Sequence, residues 1–295
     1  MNTGFVKGID KLRETKPLIH CITSPIAIND CANLLLAIGV SPIMAEHPRE
    51  VADITAMSKG LSVSLANITD ARAESIGISL KTAKENNIGS VIDIVGITCS
   101  HYRMGLCSSY ISQWHPSVIK GNVSEILKLA DVSIAGAAGT LTSAAGHVSG
   151  VDVSDDDRVS ARNVEKLKSV ATIVSRLAIH YKCIVLATGE ADIISNGEET
   201  IGLCNGTSSL SRITGTGCML SCMIASYMSV LEPFDAVMLA TSVLNISAEI
   251  AENMVRGSNA GRNTFGLGTF RTALHDAVSL IRREDIVERV KLMKL

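Results

Sequence analysis

Residues 61–96 read LSVSLANITDARAESIGISLKTAKENNIGSVIDIVG, and this stretch decides the fold. Two short apolar runs, residues 61–66 and residues 90–95, flank the segment 71–86. The runs have the length of buried strands, and the segment between them has the length and composition of a helix. Strand, helix and strand in this order are typical of a parallel sheet whose faces are covered by helices.

The same alternation extends in both directions along the chain. No Pro- or Ser-rich linker divides it and no internal repeat is visible, so we expect one domain over residues 1–295. The predicted fold is α/β, with three α/β/α layers and a mostly parallel central sheet. Residues 133–157, rich in Gly, Ala, Ser and Asp, are interpreted as a loop that could act as a lid. The other predicted strands or extended segments are 18–23, 41–45, 117–120, 183–188 and 192–197, and the other predicted helices are 5–14, 28–38, 50–57, 124–130, 163–181, 217–230 and 236–255.

Charge and hydropathy exclude several classes of function. The chain has 27 Lys and Arg against 29 Asp and Glu, so it lacks the basic excess of a general nucleic-acid binder. No Lys/Arg-rich amphipathic stretch favours a membrane surface. The apolar stretch Cys218 to Leu231 is shorter than the roughly 20 residues of a membrane span. Eight cysteines without a C-x-x-C pair, and a charged N-terminus, favour a reduced, cytoplasmic protein.

In open α/β sheets the ligand site lies beyond the carboxyl ends of the strands, so the residues that follow each strand are the candidates. The sharpest motif is Thr214-Gly-Thr-Gly-Cys218, directly before an apolar helix. The amides of Gly215, Thr216 and Gly217 could hold a phosphoryl group, helped by the helix dipole. Cys218 would then be a base or nucleophile whose pKa the helix start lowers. A glycine-rich turn that enters a helix with a buried cysteine would explain the same motif equally well.

Three charged residues, Asp93, Lys120 and Glu125, lie at or just after the ends of the strands predicted at 90–95 and 117–120. Lys120 could contact a phosphate, and Asp93 and Glu125 could hold Mg²⁺, which takes few carboxylates and keeps several waters. Taken singly, helix-start electrostatics explain Glu125 and a strand-end cap explains Asp93. Together with the glycine motif, the three residues form a set that could transfer a phosphoryl group.

Two further residues have both a structural and a functional interpretation. Thr188, in Thr188-Gly-Glu-Ala-Asp192, could form a turn or donate its hydroxyl to a nucleotide phosphate. Met44 could fill the core or form the wall of an apolar substrate pocket.

The order and spacing of these motifs resemble those of the hydroxyethylthiazole kinases, a family of the ribokinase-like superfamily. The resemblance implies ATP-dependent phosphorylation of the hydroxyethyl alcohol of 4-methyl-5-(2-hydroxyethyl)thiazole, with Mg²⁺, in thiamine biosynthesis or salvage. It extends over some two hundred residues. The residues that carry it are His20-Cys-Ile-Thr23, Asn29, Ala32-Asn33, 35–45, Asp93-Ile-Val-Gly96, Lys120-Gly-Asn-Val-Ser-Glu125, Thr188-Gly-Glu190, Asp192, Asn205-Gly and Thr214-Gly-Thr-Gly-Cys218.

The resemblance also implies a role for each matched position. The residues matched to the thiazole are Met44 and, at the hydroxyethyl group, Gly215. The family is trimeric with sites at subunit boundaries, so Met44 and Cys218 are expected to meet across two chains. The remaining matches are Lys120 and Thr188 for ATP, Asp93 and Glu125 for magnesium and phosphates, and Cys218 where many ribokinase-like kinases carry an aspartate base.

The chain departs from the family pattern at four places. Ile94 stands for a proline, Lys120 for an arginine, Ser24 for an asparagine, and residues 64–68 replace Asn-Ile-Gly-Thr-Leu. Lysine keeps the charge of arginine but not its two-pronged geometry. Other functions therefore stay open: a kinase of a hydroxymethylpyrimidine or a sugar, a small-molecule binder without catalysis, and a cysteine hydrolase that would need a histidine beside Cys218.

Overall fold

The computed structural model describes residues 4–134, 164–258 and 265–295. The predicted loop at 133–157 lies outside these residues from position 135 onward. The strands are β1 Leu18–Ile22, β2 Ser41–Ile43, β3 Gly60–Ser64, β4 Ser90–Asp93, β5 Val118–Asn122, β6 Ile184–Thr188, β7 Asp192–Ser195, β8 Thr200–Leu203 and β9 Leu292–Lys294. The helices are α1 Gly8–Thr15, α2 Ile28–Ala37, α3 Val51–Met57, α4 Asp70–Glu85, α5 His101–Trp114, α6 Val123–Ser133, α7 Val164–Tyr181, α8 Thr216–Met228, α9 Pro233–Ser258, α10 Leu267–Leu280 and α11 Arg283–Arg289.

The nine strands form a single sheet in the order β2-β1-β3-β4-β5-β6-β7-β8-β9. Strands β1 to β6 pair in parallel, and β7, β8 and β9 add an antiparallel edge. The β7–β8 hairpin turns at Asn196, whose side chain accepts the backbone N–H groups of Glu198 and Glu199. The predicted mostly parallel sheet is confirmed.

Helices cover both faces of this sheet, which confirms the three α/β/α layers. One core contains buried residues of α1, α2, α8, α9, α10 and α11, with Leu34 and Phe270 among them. The other contains buried residues of α3 to α7, with Ile76 and Leu177 among them. Strand residues belong alternately to the two cores, as the pleat of a sheet buried on both faces requires.

The sequence interpretation placed a hairpin turn after the strand at 192–197 without naming β8, and it missed α5 and the elements after residue 265. Helix α5 carries little apolar periodicity, since only Cys107, Tyr110 and Ile111 are buried along its length. Its start is nevertheless encoded, because the Ser100 side chain accepts the backbone N–H of Arg103 as an N-cap.

Helix α9 is longer than the helix predicted at residues 236–255, and also longer than the apolar stretch Cys218 to Leu231. Within the described residues, α9 is long and apolar enough to cross a membrane by length and composition alone. Most of it is buried inside the fold, as in a core helix, so this is weak evidence for a membrane span.

Helix α8 packs so closely on β3 that a glycine is required between them. A Cβ atom on Gly60 would lie 2.3 Å from the carbonyl oxygen of Ala225 in α8. That oxygen belongs to helix backbone, which cannot move away as a flexible side chain could. The close approach sets how deeply α8, and therefore its N-terminus, lies against the sheet.

We predict that Gly60→Ala lowers the free energy of unfolding by about 1–3 kcal/mol, because overpacking forces α8 away from β3. Urea unfolding measures the change. The control is Gly105→Ala in α5, where an added Cβ meets nothing within 4 Å. This variant should gain about 0.5–1 kcal/mol from the smaller backbone entropy of alanine. A Gly60→Ala protein as stable as the unaltered one would contradict the packing argument.

Candidate active site

The carboxyl ends of β4 and β5 bring two charged side chains to the N-terminus of α8. Asp93 is the last residue of β4 and pairs in register with Lys120 of β5. Lys120 extends to the first turn of α8, since a Cβ on Gly217 would lie 2.9 Å from its Nζ atom. The parallel register and the missing side chain at Gly217 together bring the lysine to the helix start.

Asp93 and Lys120 form a buried ion pair. Lys120 Nζ lies 2.9 Å from Asp93 Oδ2, and both side chains are at most 6% exposed. The Ser221 hydroxyl of α8 donates to the same oxygen at 3.1 Å. Burial by itself lowers the pKa of Lys120, but the Asp93 carboxylate reverses this, so the net shift is upward and the amine stays charged. Asp93 Oδ1 is buried and has no hydrogen-bond partner among the described residues.

Glu125 lies in the first turn of α6, where its carboxylate joins two segments. Its Oε2 accepts the N–H of Asn122 at 2.8 Å, while the Asn122 side chain caps Glu125 N, which completes a capping box. Its Oε1 accepts the N–H of Gly96 at 2.7 Å, in the loop after β4. Burial raises the pKa of Glu125 to about 7, and Asp93 adds to the shift. Glu125 therefore both caps the start of α6 and lies beside Asp93.

Cys218 lies in the first turn of α8, partly buried. The Thr23 side chain and the charges of Asp93 and Lys120 all act on its thiol. Burial and Asp93 raise the pKa of Cys218 to about 11, against the smaller opposing effects of Lys120 and Thr23. The expectation of a lowered pKa is therefore wrong, because desolvation and a neighbouring carboxylate outweigh the helix start. The thiol is protonated at neutral pH.

The first turn of α8 keeps its backbone N–H groups free of side-chain caps. Gly215 is the N-cap residue, with φ +92°, and no side-chain hydrogen bond caps the helix. A Cβ here would lie 2.9 Å from the Cβ of Ala27, so the loop after β1 closes over the glycine. The Thr216 hydroxyl donates to the carbonyl of Leu210 at 3.1 Å and supports the preceding turn. Uncapped amides at the start of a helix have the geometry and partial charge that suit an anion.

Thr188 ends β6, on the other side of β5 from Asp93. Its hydroxyl lies 3.3 Å from the carbonyl oxygen of Gly121 and is half-buried. The turn after it is held by Asp192, which accepts Gly189 N at 3.0 Å and the Asn245 side chain at 2.7 Å. Burial raises the pKa of Asp192 to about 6.

Two residues of α9 that the sequence interpretation did not mark hold the loop between β8 and α8. The Asn245 side chain donates to the carbonyl of Asn205 at 3.0 Å, and Glu249 accepts the N–H of Gly206 at 2.8 Å. A polar residue within an apolar helix would have been the signal for Asn245. The loop they hold leads directly to Gly215.

Met44 follows β2 and is partly buried. Met44 and Cys218 both pack against the core that contains Leu34 and Phe270. The structure thus brings Asp93, Lys120, Glu125 and Cys218 together around the start of α8. Met44 stands toward the β2 edge of the sheet, and Thr188 stands on the far side of β5. The meeting of Met44 and Cys218 across two chains stays a prediction.

A hydrolase reading of Cys218 meets an obstacle at His20, in the motif that precedes Thr23. Its Nδ1 lies 2.8 Å from the Thr55 hydroxyl and its Nε2 lies 2.8 Å from the carbonyl oxygen of Ala45. A carbonyl only accepts, so Nε2 carries the proton. Both ring nitrogens are occupied, and His20 is therefore not placed as a base for the cysteine.

A model of the hydroxyethylthiazole kinase family matches residues 9–284 of the chain. The chain belongs to the hydroxyethylthiazole kinase family. Hydroxyethylthiazole kinase 2 of Clostridium botulinum is 43% identical over 277 residues, which cover 94% of this chain and 95% of that protein. Hydroxyethylthiazole kinase 1 of Methanosphaera stadtmanae is 33% identical over 292 residues, which cover 99% and 98%.

Solved structures show the same fold. A hydroxyethylthiazole kinase protein from Pyrococcus horikoshii OT3 superposes with a TM-score of 0.83 at 23% identity and covers 100% of both chains. A pyridoxal kinase from Staphylococcus aureus gives 0.59 at 12% identity, over 94% of this chain and 98% of its own. A ribokinase-like superfamily protein from Enterococcus faecalis gives 0.57 at 10%, over 94% of each. The ribokinase-like fold is confirmed.

Two departures from the hydroxyethylthiazole kinase pattern contact each other. Ser24 follows Thr23 after β1, and its hydroxyl donates to the Asn67 side chain at 2.7 Å. Asn67 belongs to the altered segment 64–68 and adopts φ +49°, a conformation that asparagine tolerates better than most residues. The two positions that depart from the pattern are therefore neighbours in the folded chain.

We predict that Glu125→Gln weakens the pH dependence of stability. The pKa of Glu125 is about 7 in the folded protein, against an ordinary 4.5. Between these two pH values, folded Glu125 keeps its proton, whereas the unfolded chain has released it. Rising pH therefore costs stability there. The glutamine does not titrate, so the fall in the free energy of unfolding from about pH 5 to about pH 7.5 should shrink in urea titrations.

The matched control is Glu85→Gln, at an exposed side chain at the end of α4. It should leave the difference between the two pH values as in the unaltered protein. An equal pH dependence in the Glu125→Gln and unaltered proteins would contradict the proton assigned to Glu125.

Proposed function

We propose that the protein transfers the γ-phosphoryl group of ATP to the hydroxyethyl alcohol of 4-methyl-5-(2-hydroxyethyl)thiazole, in thiamine biosynthesis or salvage. The observation that carries the proposal is the buried Asp93–Lys120 pair, held 2.9 Å apart against the uncapped first turn of α8. A fixed cation and a row of free amides converge there, the arrangement that stabilises the charge of a phosphoryl group in transfer. Family membership supports the substrate.

The nucleotide is proposed to lie along the carboxyl ends of β5 and β6. Lys120 stabilises the transferring phosphate, and its location against Gly217 supports this role. The Thr188 hydroxyl, on the neighbouring strand, donates to the nucleotide phosphates. The amides of Gly215, Thr216 and Gly217 complete the anion site. Their hydrogen bonds to the phosphate oxygens become stronger as negative charge develops during the transfer.

The thiazole alcohol is proposed to lie between Met44, as its apolar wall, and Gly215, beside the hydroxyethyl group. Cys218 then adjoins the alcohol oxygen. A thiol with a pKa of about 11 is protonated at neutral pH, so Cys218 orients the alcohol oxygen through a hydrogen bond, and the alcohol's proton passes to an oxygen of the transferred phosphoryl group. A loose transition state demands little from a base, because the alcohol loses its proton late.

Magnesium is proposed to bind at Asp93 and Glu125. Among the residues that the structure describes, no three His, Cys, Asp or Glu side chains form a group that could hold a metal ion. Mg²⁺ needs no such group, because it keeps waters and phosphate oxygens as ligands beside one or two carboxylates. The buried, unpartnered Oδ1 of Asp93 fits this requirement. When bound, the ion neutralises the charge of the nucleotide phosphates.

We further propose that residues 1–295 act as one kinase domain in a cytoplasmic homotrimer with sites at subunit boundaries, without nucleic acid or membrane partners. The single nine-stranded sheet supports one domain. The partial exposure of Met44 and Cys218 supports a neighbouring chain that completes the pocket.

A coupled ADP-release assay with the thiazole alcohol, ATP and Mg²⁺ tests the activity directly. We expect Cys218→Ala to lower kcat by about 10²-fold, as the misplacement of a reacting group does. Cys218→Asp should retain more activity than the alanine variant, because a carboxylate can accept the alcohol's proton. The control is Cys183→Ala, which changes a partly buried cysteine before β6 at the opposite end of the strand.

Each other outcome overturns a defined part of the proposal. A wild-type rate in Cys218→Ala removes the thiol from the mechanism. Activity on a sugar or a hydroxymethylpyrimidine, without activity on the thiazole, replaces the substrate. Thiazole binding in calorimetry without any ADP production makes the protein a binder rather than an enzyme.

We predict that excess chelator abolishes ADP release and that added Mg²⁺ restores it. The Asp93→Asn variant should need at least about tenfold more Mg²⁺ for half-maximal rate, because a neutral amide is a weaker ligand for a hard cation. The control is Asp53→Asn, at an exposed position in α3. Circular dichroism shows whether each variant is folded, and an unchanged magnesium requirement in folded Asp93→Asn would remove Asp93 from the metal site.

A further inference from the structure

We propose that Arg72 is a positioning residue that locks together the two walls of the alcohol pocket, the Thr23 wall beside Cys218 and the Met44 wall. The proposal rests on the proposed function, because it assigns the pocket between these walls to the phosphoryl acceptor. Nothing in the sequence motifs marks Arg72, which lies in the first turn of α4.

The guanidinium of Arg72 bridges two loops that are far apart in sequence. Its Nη2 donates to the carbonyl oxygen of Thr23 at 2.7 Å, after β1. Its Nη1 contacts the Glu46 carboxylate at 2.5 Å, two residues after Met44. One rigid, planar group thus fixes the spacing between the loop after β1 and the loop after β2.

The first wall reaches the reacting groups through Thr23. Its backbone carbonyl is held by Arg72, its hydroxyl lies 3.9 Å from the Cys31 sulfur, and its side chain is close enough to Cys218 to act on the pKa of the thiol. A shift of the Thr23 backbone therefore moves a group that neighbours Cys218.

The second wall is a short loop with three anchors. The His20 ring donates to the carbonyl of Ala45, and the Ser75 hydroxyl donates to the carbonyl of Glu46 at 2.8 Å. Arg72 adds the third anchor at the Glu46 carboxylate. Ser75 lies one turn after Arg72 on α4, so one face of this helix supports the loop that carries Met44.

Stability alone does not account for a charge at this position. The Arg72 side chain is 3% exposed, and its Nε is buried without a hydrogen-bond partner among the described residues. Its carboxylate partner, Glu46, is 45% exposed. A buried ionic group left partly unpaired is unfavourable compared with an apolar side chain of similar size. The two directed contacts are what arginine supplies and an apolar residue does not.

The test compares Arg72→Met, Arg72→Lys and Glu46→Gln in the ADP-release assay, with KM measured for each substrate. We expect Arg72→Met to raise KM for the thiazole alcohol by about tenfold or more and to lower kcat, as displaced walls do. KM for ATP should stay unchanged, because the nucleotide groups lie on other strands. The KM of Arg72→Lys for the alcohol should lie between that of the unaltered protein and that of Arg72→Met, since lysine keeps the charge but loses the two-pronged donor geometry.

A binding measurement supplies the second readout. Thiazole alcohol should protect Cys218 from iodoacetamide, followed on the Cys218 peptide by mass spectrometry. The concentration for half-protection should rise in Arg72→Met as much as KM does. The matched control is Lys81→Met, which breaks the exposed Lys81–Glu85 pair on the same helix and should change neither quantity.

The outcomes separate this inference from the proposed function. If the alcohol neither protects Cys218 nor releases ADP in the unaltered protein, the proposed function fails before any variant is compared. If the unaltered protein is protected and folded Arg72→Met matches it, the inference is overturned. Should Arg72→Met not fold, Glu46→Gln decides: a raised KM for the alcohol alone supports the bridge, and an unchanged KM overturns it.

Discussion

The buried ion pair between Asp93 and Lys120 is the constraint on which the rest of the site depends. Two charges removed from water are tolerable only when they pair and when further polar groups surround them. The parallel register of β4 and β5 supplies the pair, and Ser221 of α8 supplies a hydrogen bond to the same carboxylate oxygen. The pair therefore ties the sheet to α8, and it leaves the other oxygen of Asp93 without a hydrogen-bond partner among the described residues.

Helix α8 can serve this pair only because the chain lets it approach the sheet very closely. Gly60 admits the α8 backbone to β3, and Gly217 admits the Lys120 ammonium to the first helical turn. Gly215, with φ +92°, turns the chain into the helix without a capping side chain. The three glycines act at different places, and a Cβ at any of them would push apart groups that now lie close together. The same packing buries Cys218 and raises the pKa of its thiol, so a site that suits an anion keeps its cysteine protonated.

The walls around this centre are held by groups outside the recognisable motifs. Arg72 joins the loops after β1 and β2, and Asn245 with Glu249 fixes the loop that leads into α8. The contact between Ser24 and Asn67 brings two departures from the family pattern next to each other in space. Lys120, which stands for an arginine, lies on the phosphate side, so departures from the family pattern occur on both sides of the proposed site, while the glycine motif is kept.

The sequence by itself determined the α/β class, the parallel strands and the location of Asp93, Lys120 and the glycine motif, because strand periodicity and backbone requirements are local. It did not reveal α5, whose buried face has only three residues, nor the direction of the Cys218 pKa. It also gave no sign of Arg72. Burial, neighbouring charge and bridging contacts depend on residues that the chain brings together from distant positions, and only the tertiary structure decides them.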